Sequence, residues 1–468
     1  MARSITDEEK ACAAELLTKA RAAMNEIEDY DQARVDRLCQ AVGWAVGNEK
    51  TFTRLAHMGV DESGIGDRDG RPGKRFKIQG ILRDVLRQKS VGVIETIPEK
   101  GLVKYAKPVG VIASLIPMTN PALTPPGTAI FALKCKDAVI FSPHPRTQKT
   151  TFETIRIMRE VLKREGVPPD LLQCVEKASI PLAQELMAIC DLVIATGGPA
   201  MVKAAYSSGT PAFGVGPGNS TMVIDETANI EEAARNTRLS KTSDFGSGCS
   251  ADGNLIVEAS IYDQFLAQLR AEGGYLASDD EKQLMEAVLW DEEGRRTLNT
   301  VAAPPQTIAA KAGFEVPAGS KFIIVKQKDI GQDHKFSGEK LCTVLALYKY
   351  DGFDQAVDMV KQIFGVGGKG HSCGIYSFDD DHIDRLARVA PVSRMMVRQP
   401  QSKANSGSFT NGMPMTSSLG CGTWGGNIIS ENVHLKHYMN VTWVSQPIEV
   451  DRPSEEELFG EFYNTETF

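Results

Sequence analysis

One cysteine in this chain sits in a run suited to chemistry: Thr242-Ser243-Asp244-Phe245-Gly246-Ser247-Gly248-Cys249-Ser250-Ala251-Asp252. Small residues on both sides let the backbone turn tightly and let a substrate approach the sulfur. A thiol so placed can act as a nucleophile where backbone N–H groups or a helix N-terminus favour the thiolate. A single free cysteine among nine is otherwise a small buried hydrophobe. The role of Cys249 therefore rests on what the chain brings to it. Two other patterns carry less. Gly365-Val366-Gly367-Gly368-Lys369-Gly370 has the spelling of a dinucleotide-binding loop, but it follows a helical pattern instead of a strand and reads as a flexible turn. His434 and His437 could share a helix face, yet no carboxylate or cysteine completes a ligand set, so no metal is expected.

The elements that must position Cys249 follow from periodicity. Residues 6–48 predict two helices, with Thr6 and Asp7 as caps. The segment 60–77 reads as an exposed loop whose basic residues (Arg68, Arg71, Lys74, Arg75, Lys77) could meet phosphates but fit a solvated surface better. Val91–Ile97 and Leu102–Pro108, around a Pro98–Gly101 turn, form a β-hairpin. Val109–Ile116 is a continuous apolar run, as for a strand buried on both faces of a parallel sheet. Helices at about 125–134, 150–165, 180–188 and 199–208 then alternate with strands at Ala138–Phe141, Leu172–Val175 and Leu192–Ala195. Such βα repeats point to a doubly wound sheet, whose ligands bind at the strands' carboxyl ends. Thr196-Gly197-Gly198 is one such end, leading into a helix N-terminus able to face phosphate. A second α/β region follows Ser240, with strands at Asn254–Val257 and Lys321–Val325 and helices at 260–271, 279–288 and 353–364.

Composition bounds the function. With 468 residues, 42% hydrophobic and 24% charged, the chain has the make-up of a soluble globular protein of two to three domains. A formal charge of -8 argues against a nucleic-acid surface. No apolar run is long enough to span a membrane. Cysteines without zinc-type spacing and a polar first ten residues lead us to expect a cytoplasmic protein.

Eight segments, in order, resemble the CoA-acylating branch of the aldehyde dehydrogenase superfamily. They are Ile116–Pro121, Phe141–Arg146, Ala195–Pro199, Phe213–Asn219, the Cys249 loop, Glu339–Cys342, Gly370–Ser372 and Leu419–Asn427. The likeness covers roughly residues 5 to 450 and is greatest to the aldehyde half of bifunctional alcohol/aldehyde dehydrogenases and to acylating semialdehyde and sulfoacetaldehyde dehydrogenases. It implies an α/β fold of the aldehyde dehydrogenase type: two doubly wound α/β domains plus a β-hairpin oligomerisation arm. The expected layout is an NAD(P)-binding domain over 1–239 with the arm at about 90–109, and a catalytic domain over 240–435. An oligomerisation strand over 436–450 and an acidic tail over 451–468 follow. Paired edge strands in such an arm would make a homodimer or homotetramer.

The resemblance also implies roles. Cys249 attacks the aldehyde, and Asn120 with the Cys249 N–H stabilises the oxyanion. Asn120 alone would read equally as a turn residue before Pro121. His371 matches a histidine near the CoA thiol, and its near-neutral titration suits moving that proton. NAD or NADP would be met by Pro117, Met118, Thr119, Ser142, His144, Pro145, Arg146, Thr196, Gly197, Gly198, Gly214, Val215, Gly216, Glu339 and Leu341. Relatives often carry a lysine where His144 and Pro145 stand, and Arg146 could meet a 2′-phosphate, so the choice between the two cofactors stays open. Hydrolytic relatives place a glutamate base where this chain has Gly214, so the acyl group should pass to coenzyme A and not to water. Arg398 stands where relatives for simple aldehydes have asparagine. An arginine fork there would suit a small anionic aldehyde such as sulfoacetaldehyde or succinate semialdehyde, although a loop arginine in a salt bridge fits equally. The alternatives are acetaldehyde or propionaldehyde as substrate, a hydrolytic dehydrogenase, and a silent scaffold that keeps the fold alone.

Overall fold

The computed structural model describes residues 3–463, and they form three sheets. An antiparallel sheet, in the order β1-β2-β15, pairs the hairpin β1 (Val93–Ile97) and β2 (Leu102–Pro108) with β15 (Met439–Ser445). A parallel five-stranded sheet holds β3 (Val111–Leu115), β4 (Ala138–Ser142), β5 (Leu172–Cys174), β6 (Leu192–Thr196) and β7 (Ala212–Val215) in the order β5-β4-β3-β6-β7. A parallel seven-stranded sheet runs β10-β11-β12-β9-β8-β13-β14. Its strands are β8 (Thr221–Ile224), β9 (Asn254–Glu258), β10 (Gly274–Leu276), β11 (Phe322–Lys326), β12 (Val344–Tyr350), β13 (Cys373–Tyr376) and β14 (Met395–Val397). All five residues of β3 and of β4 are buried, the reason their sequences are apolar without alternation.

Local chemistry sets the ends of the elements. Thr6 and Glu9 form a reciprocal capping box at the start of the helix Asp7–Glu26, and Asp31 caps the helix Gln32–Gly47. A third helix, Glu49–Ser63, ends on Gly64 in the left-handed conformation.

The structure corrects four expectations. The chain changes sheet between Val215 and Thr221, ahead of residue 240, because β8 pairs with β9 and β13. The segment 60–77 is the end of one helix, a short 3-10 turn (Arg71–Lys74) and the start of the helix Arg75–Leu86. Arg71 within it is buried instead of solvated, as the partner of a buried aspartate. The glycine-rich turn 365–370 follows a helix as expected, yet it is wedged in place: a Cβ on Gly368 would lie 2.4 Å from the Asn219 nitrogen, and one on Gly370 1.7 Å from the Cys421 carbonyl. The acidic tail holds a short exposed helix, Glu455–Phe459, and its last five residues lie outside the described part. Among the described residues no helix is long and apolar enough to cross a membrane.

Candidate active site

The carboxyl edge of the five-stranded sheet meets the amino edge of the seven-stranded one, and the candidate residues gather along that seam. Pro117–Thr119 follow β3, Ser142–Arg146 follow β4, Thr196–Gly198 follow β6, and Val215–Gly216 follow β7. From the opposite side, Cys249 precedes β9, Glu339 and Leu341 precede β12, and His371 precedes β13.

The cysteine loop is strained and anchored. Asp244 and Phe245 both have φ of 50°, a conformation that costs non-glycine residues on the order of 1 kcal/mol or more each. Asp244 holds it. Its buried carboxylate accepts from the Asp67 N–H (2.8 Å), Arg71 Nε (3.1 Å), a terminal Arg71 nitrogen (2.9 Å), Lys74 Nζ (2.7 Å) and Ser247 Oγ (2.8 Å). The neighbouring Lys74 and Arg71 charges keep this carboxyl well below the usual carboxylate range despite burial. Gly246 must be glycine, since a Cβ there would sit 2.5 Å from the Cys342 carbonyl.

Nε2 of His371 lies 2.9 Å from Sγ of Cys249, and Nδ1 lies 2.8 Å from the Ser372 hydroxyl. The imidazole is buried, whereas Cys249 is half-buried. Burial, with the nearby Glu339 charge, pushes the thiol up to about 12. Burial and the Arg394 charge push the imidazole down to about 3. The resting pair is neutral thiol and neutral imidazole, positioned for proton transfer.

Asn120 reaches the loop through one lysine. Lys74 Nζ donates to Asn120 Oδ1 (2.7 Å) and to Asp244, so the amide oxygen is occupied and the amide NH₂ faces the other way. Glu339 accepts from the Gly218 N–H (3.1 Å), and burial raises its carboxyl to about 7. Gly218 is pressed on the cysteine: a Cβ would lie 1.9 Å from the Cys249 carbonyl oxygen. Asn219 donates to the Ser337 carbonyl, Asn254 to Asn219, and Lys340 to Asn254, which lock the Glu339 and Gly218 loops together. Met118 and Leu341 pack on Ile65, Val301 and Ala302 in one small apolar cluster.

The remaining cofactor candidates line the first sheet's edge. Ser142 is buried, His144 Nδ1 accepts from the Arg146 N–H (3.1 Å), Pro145 is exposed, and Arg146 donates to the Ser63 carbonyl. Thr196 Oγ1 lies 2.9 Å from Ser418 Oγ. The helix Pro199–Tyr206 starts at Gly198 with no side-chain cap, and the Met201 and Val202 N–H groups donate to the Gly198 carbonyl. Beside it opens a cleft of about 570 Å³ lined by Lys203, Tyr206, Gly216, Gly367, Gly368, Lys369 and Trp424, with no carboxylate in its wall. Lysines, glycines and aromatic rings in that arrangement fit a nucleotide with phosphates.

Gly214 replaces a side chain with contacts. Its N–H and carbonyl both bond the Tyr206 hydroxyl (3.1 and 3.3 Å), and a Cβ would meet Val202 at 2.8 Å and Tyr206 at 2.9 Å. No carboxylate fits there without displacing them.

Arg398 is not at the site. With φ of 50° it turns back at the carboxyl end of β14, donates to the Ser377 carbonyl and stacks 4.4 Å over the Phe378 ring. Cys249 and His371 occupy the opposite, amino edge of the same sheet. The arginine whose charge reaches Cys249 and His371 is Arg394, buried at the amino end of β14. It donates to the Gly420 carbonyl, while its Nε and other terminal nitrogen have no partner among the described residues. Sequence reasoning passed over Arg394, Tyr206 and Asp244, and took Lys74 and Arg71 for surface. Asp244 lay inside the cysteine run itself, five residues from the sulfur, but only long-range pairing gives it a purpose.

Comparison with known proteins agrees with this layout. The model of the aldehyde dehydrogenase family matches residues 3–288. A sulfoacetaldehyde dehydrogenase of an Acholeplasma species is 43% identical over 452 residues, 95% of this chain and 93% of that protein. A succinate-semialdehyde dehydrogenase (acetylating) of Clostridium kluyveri is 38% identical over 95% of this chain and 98% of its own length. The crystal structure of an acetylating aldehyde dehydrogenase from Geobacillus thermoglucosidasius superposes with a TM-score of 0.92 at 34% identity, covering 96% of this chain and 99% of that one. The chain belongs to the aldehyde dehydrogenase family, in its CoA-acylating branch.

Proposed function

We propose that the protein oxidises a small anionic aldehyde, sulfoacetaldehyde first among them, to its CoA thioester with NAD or NADP. The observation that carries the choice of acceptor is the crowded Gly214, where Tyr206 and Val202 fill the space a water-activating carboxylate would need. Cys249 Sγ forms a bond to the aldehyde carbon while His371 Nε2 takes the thiol proton. The oxyanion of the thiohemiacetal is held by the Asn120 amide NH₂ and the Cys249 N–H. A bound nicotinamide dinucleotide, placed by Glu339, Leu341 and the Thr196–Gly198 strand end, supplies the hydride acceptor, and a thioester is left on Cys249. His371 gives the first proton up to solvent, the CoA thiol then passes its own proton to His371 and attacks the acyl carbon, the Cys249–carbon bond breaks, and that second proton goes to the Cys249 sulfur. The two relatives named for sulfoacetaldehyde and succinate semialdehyde support an anionic substrate.

Two further parts of this reading concern the assembly and its place. β15 is an edge strand with exposed Val441, Trp443 and Val444, which suits pairing with a second copy in a dimer or tetramer, and we assign the enzyme to the cytoplasm. The test is NAD(P)H formation with and without CoA over a panel of sulfoacetaldehyde, succinate semialdehyde, acetaldehyde and propionaldehyde. CoA-dependent turnover led by an anionic aldehyde is expected. Equal efficiency on all four would remove the substrate assignment, and free acid formed at full rate without CoA would remove the acyl-transfer assignment.

A further inference from the structure

Beside Asn120 the structure carries more positive charge than its own carboxylates satisfy. Arg71, Lys74 and Lys403 face two carboxylates, Asp67 and Asp244. Asp244 is already shared by five donors, and Asp67 Oδ1 is occupied by the N–H groups of Asp69 and Gly70. Three donors remain over. One terminal nitrogen of Arg71, a residue only 3% exposed, is buried with no hydrogen-bond partner. Lys74 uses two hydrogen bonds, to Asn120 and Asp244, of the three that an ammonium can donate. The exposed side chain of Lys403 makes no hydrogen bond or ion pair with the described residues, although its charge acts on Lys74 and Lys77.

The fold brings these groups together deliberately. Arg71 and Lys74 lie one turn apart at the start of the helix Arg75–Leu86. Lys77, the next turn on, donates to the carbonyls of Ser406 and Gly407 and so draws the segment after the short helix Gln401–Ala404 against the same face. The Ser402 N–H bonds Ser240 Oγ, fixing Lys403 beside the helix that leads into the cysteine loop. The unpartnered Arg71 nitrogen is a buried donor left without a hydrogen bond, which is costly, and a ligand anion that fills the gap is bound tightly in return.

We propose that Arg71, Lys74 and Lys403 form an anion subsite that receives the sulfonate or carboxylate head of the aldehyde substrate. The inference rests on the proposed function, because it takes Asn120 as the group that holds the carbonyl oxygen. Lys74 bonds the same amide through its oxygen, which sets the subsite next to the group that holds the carbonyl oxygen. The subsite replaces Arg398, which the fold holds at the far edge of the sheet.

The test uses the full-length enzyme and a Lys403→Met variant with CoA and NAD(P). The ratio of kcat/KM for sulfoacetaldehyde to that for propionaldehyde is expected to fall at least tenfold through KM, and the ratio for succinate semialdehyde shows whether a carboxylate head uses the same site. Lys403→Arg should restore most of the ratio. A ratio unmoved in Lys403→Met would overturn the subsite. Should the wild type turn over no aldehyde with CoA, the functional reading fails on its own, and titration with ethanesulfonate still reads the subsite. Binding to wild type that is lost in Lys403→Met supports it, and no binding or equal binding overturns it.

Discussion

His371 Nε2 and Cys249 Sγ stand 2.9 Å apart with both groups uncharged at neutral pH. The pairing differs from a thiolate–imidazolium couple, because burial penalises both charged forms and the Arg394 charge further disfavours the imidazolium. The nucleophile is therefore made at the moment of reaction, by proton transfer to His371.

The resting state should show in the pH dependence of alkylation. A thiol held near 12 is ionised to only about one part in 10⁴ at pH 8. Iodoacetamide labelling of Cys249 in the ligand-free enzyme should be slow at pH 6 and climb continuously from pH 7 to 10. Full-rate labelling at pH 6 would show a preformed ion pair instead.

Removing the base should cost about 10²–10⁴ in kcat, the usual range for general acid–base catalysis. His371→Ala is expected to lose that much at pH 7.5 and progressively less toward pH 10, where solvent removes the thiol proton. Steady-state assays across pH check both the size and the slope.

Asp244 should matter to stability as well as to the loop. Its carboxyl is held below its unfolded value by Lys74 and Arg71. The sign follows: the stabilisation is fully present above about pH 4, the ordinary carboxylate value, and is lost as pH falls below it. Asp244→Asn leaves Arg71 and Lys74 without a counter-charge, a change worth about 3–5 kcal/mol when a buried pair is broken. Denaturant titration at pH 7 should show that loss, and the gap to wild type should narrow between pH 4 and 2.

Arg398→Asn should leave aldehyde preference where it was. The residue packs on Phe378 away from Cys249, and asparagine tolerates its left-handed backbone. Relative kcat/KM on anionic and neutral aldehydes is the measurement, and a loss confined to anionic aldehydes would return Arg398 to the site.

Much of the framework was legible because it is local. The apolar runs of β3 and β4, the Thr6 capping box and the turn between β1 and β2 each depend on a few adjacent residues. The motif order also singled out Cys249, His371 and Glu339, which the fold brings to the amino edge of the seven-stranded sheet. What failed depended on distance in sequence. Arg71 and Lys74 look like any loop cations until Asp244, 173 and 170 residues away, is folded onto them. Arg398 and Arg394 are four residues apart, yet a three-residue strand between them sends one to each edge of the sheet. β8 escaped notice as the true start of the second sheet because Thr221–Ile224 is only four residues long.

The central claim is that Cys249 keeps its acyl group until a thiol collects it. Mixing the enzyme with sulfoacetaldehyde and NAD(P) but no CoA tests this directly, by following NAD(P)H and the mass of the Cys249 peptide. The account predicts a burst of about one reduced cofactor per subunit, a sulfoacetyl group on Cys249, and renewed turnover on adding CoA. Continued NAD(P)H formation with free sulfoacetate and an unmodified Cys249 would contradict it.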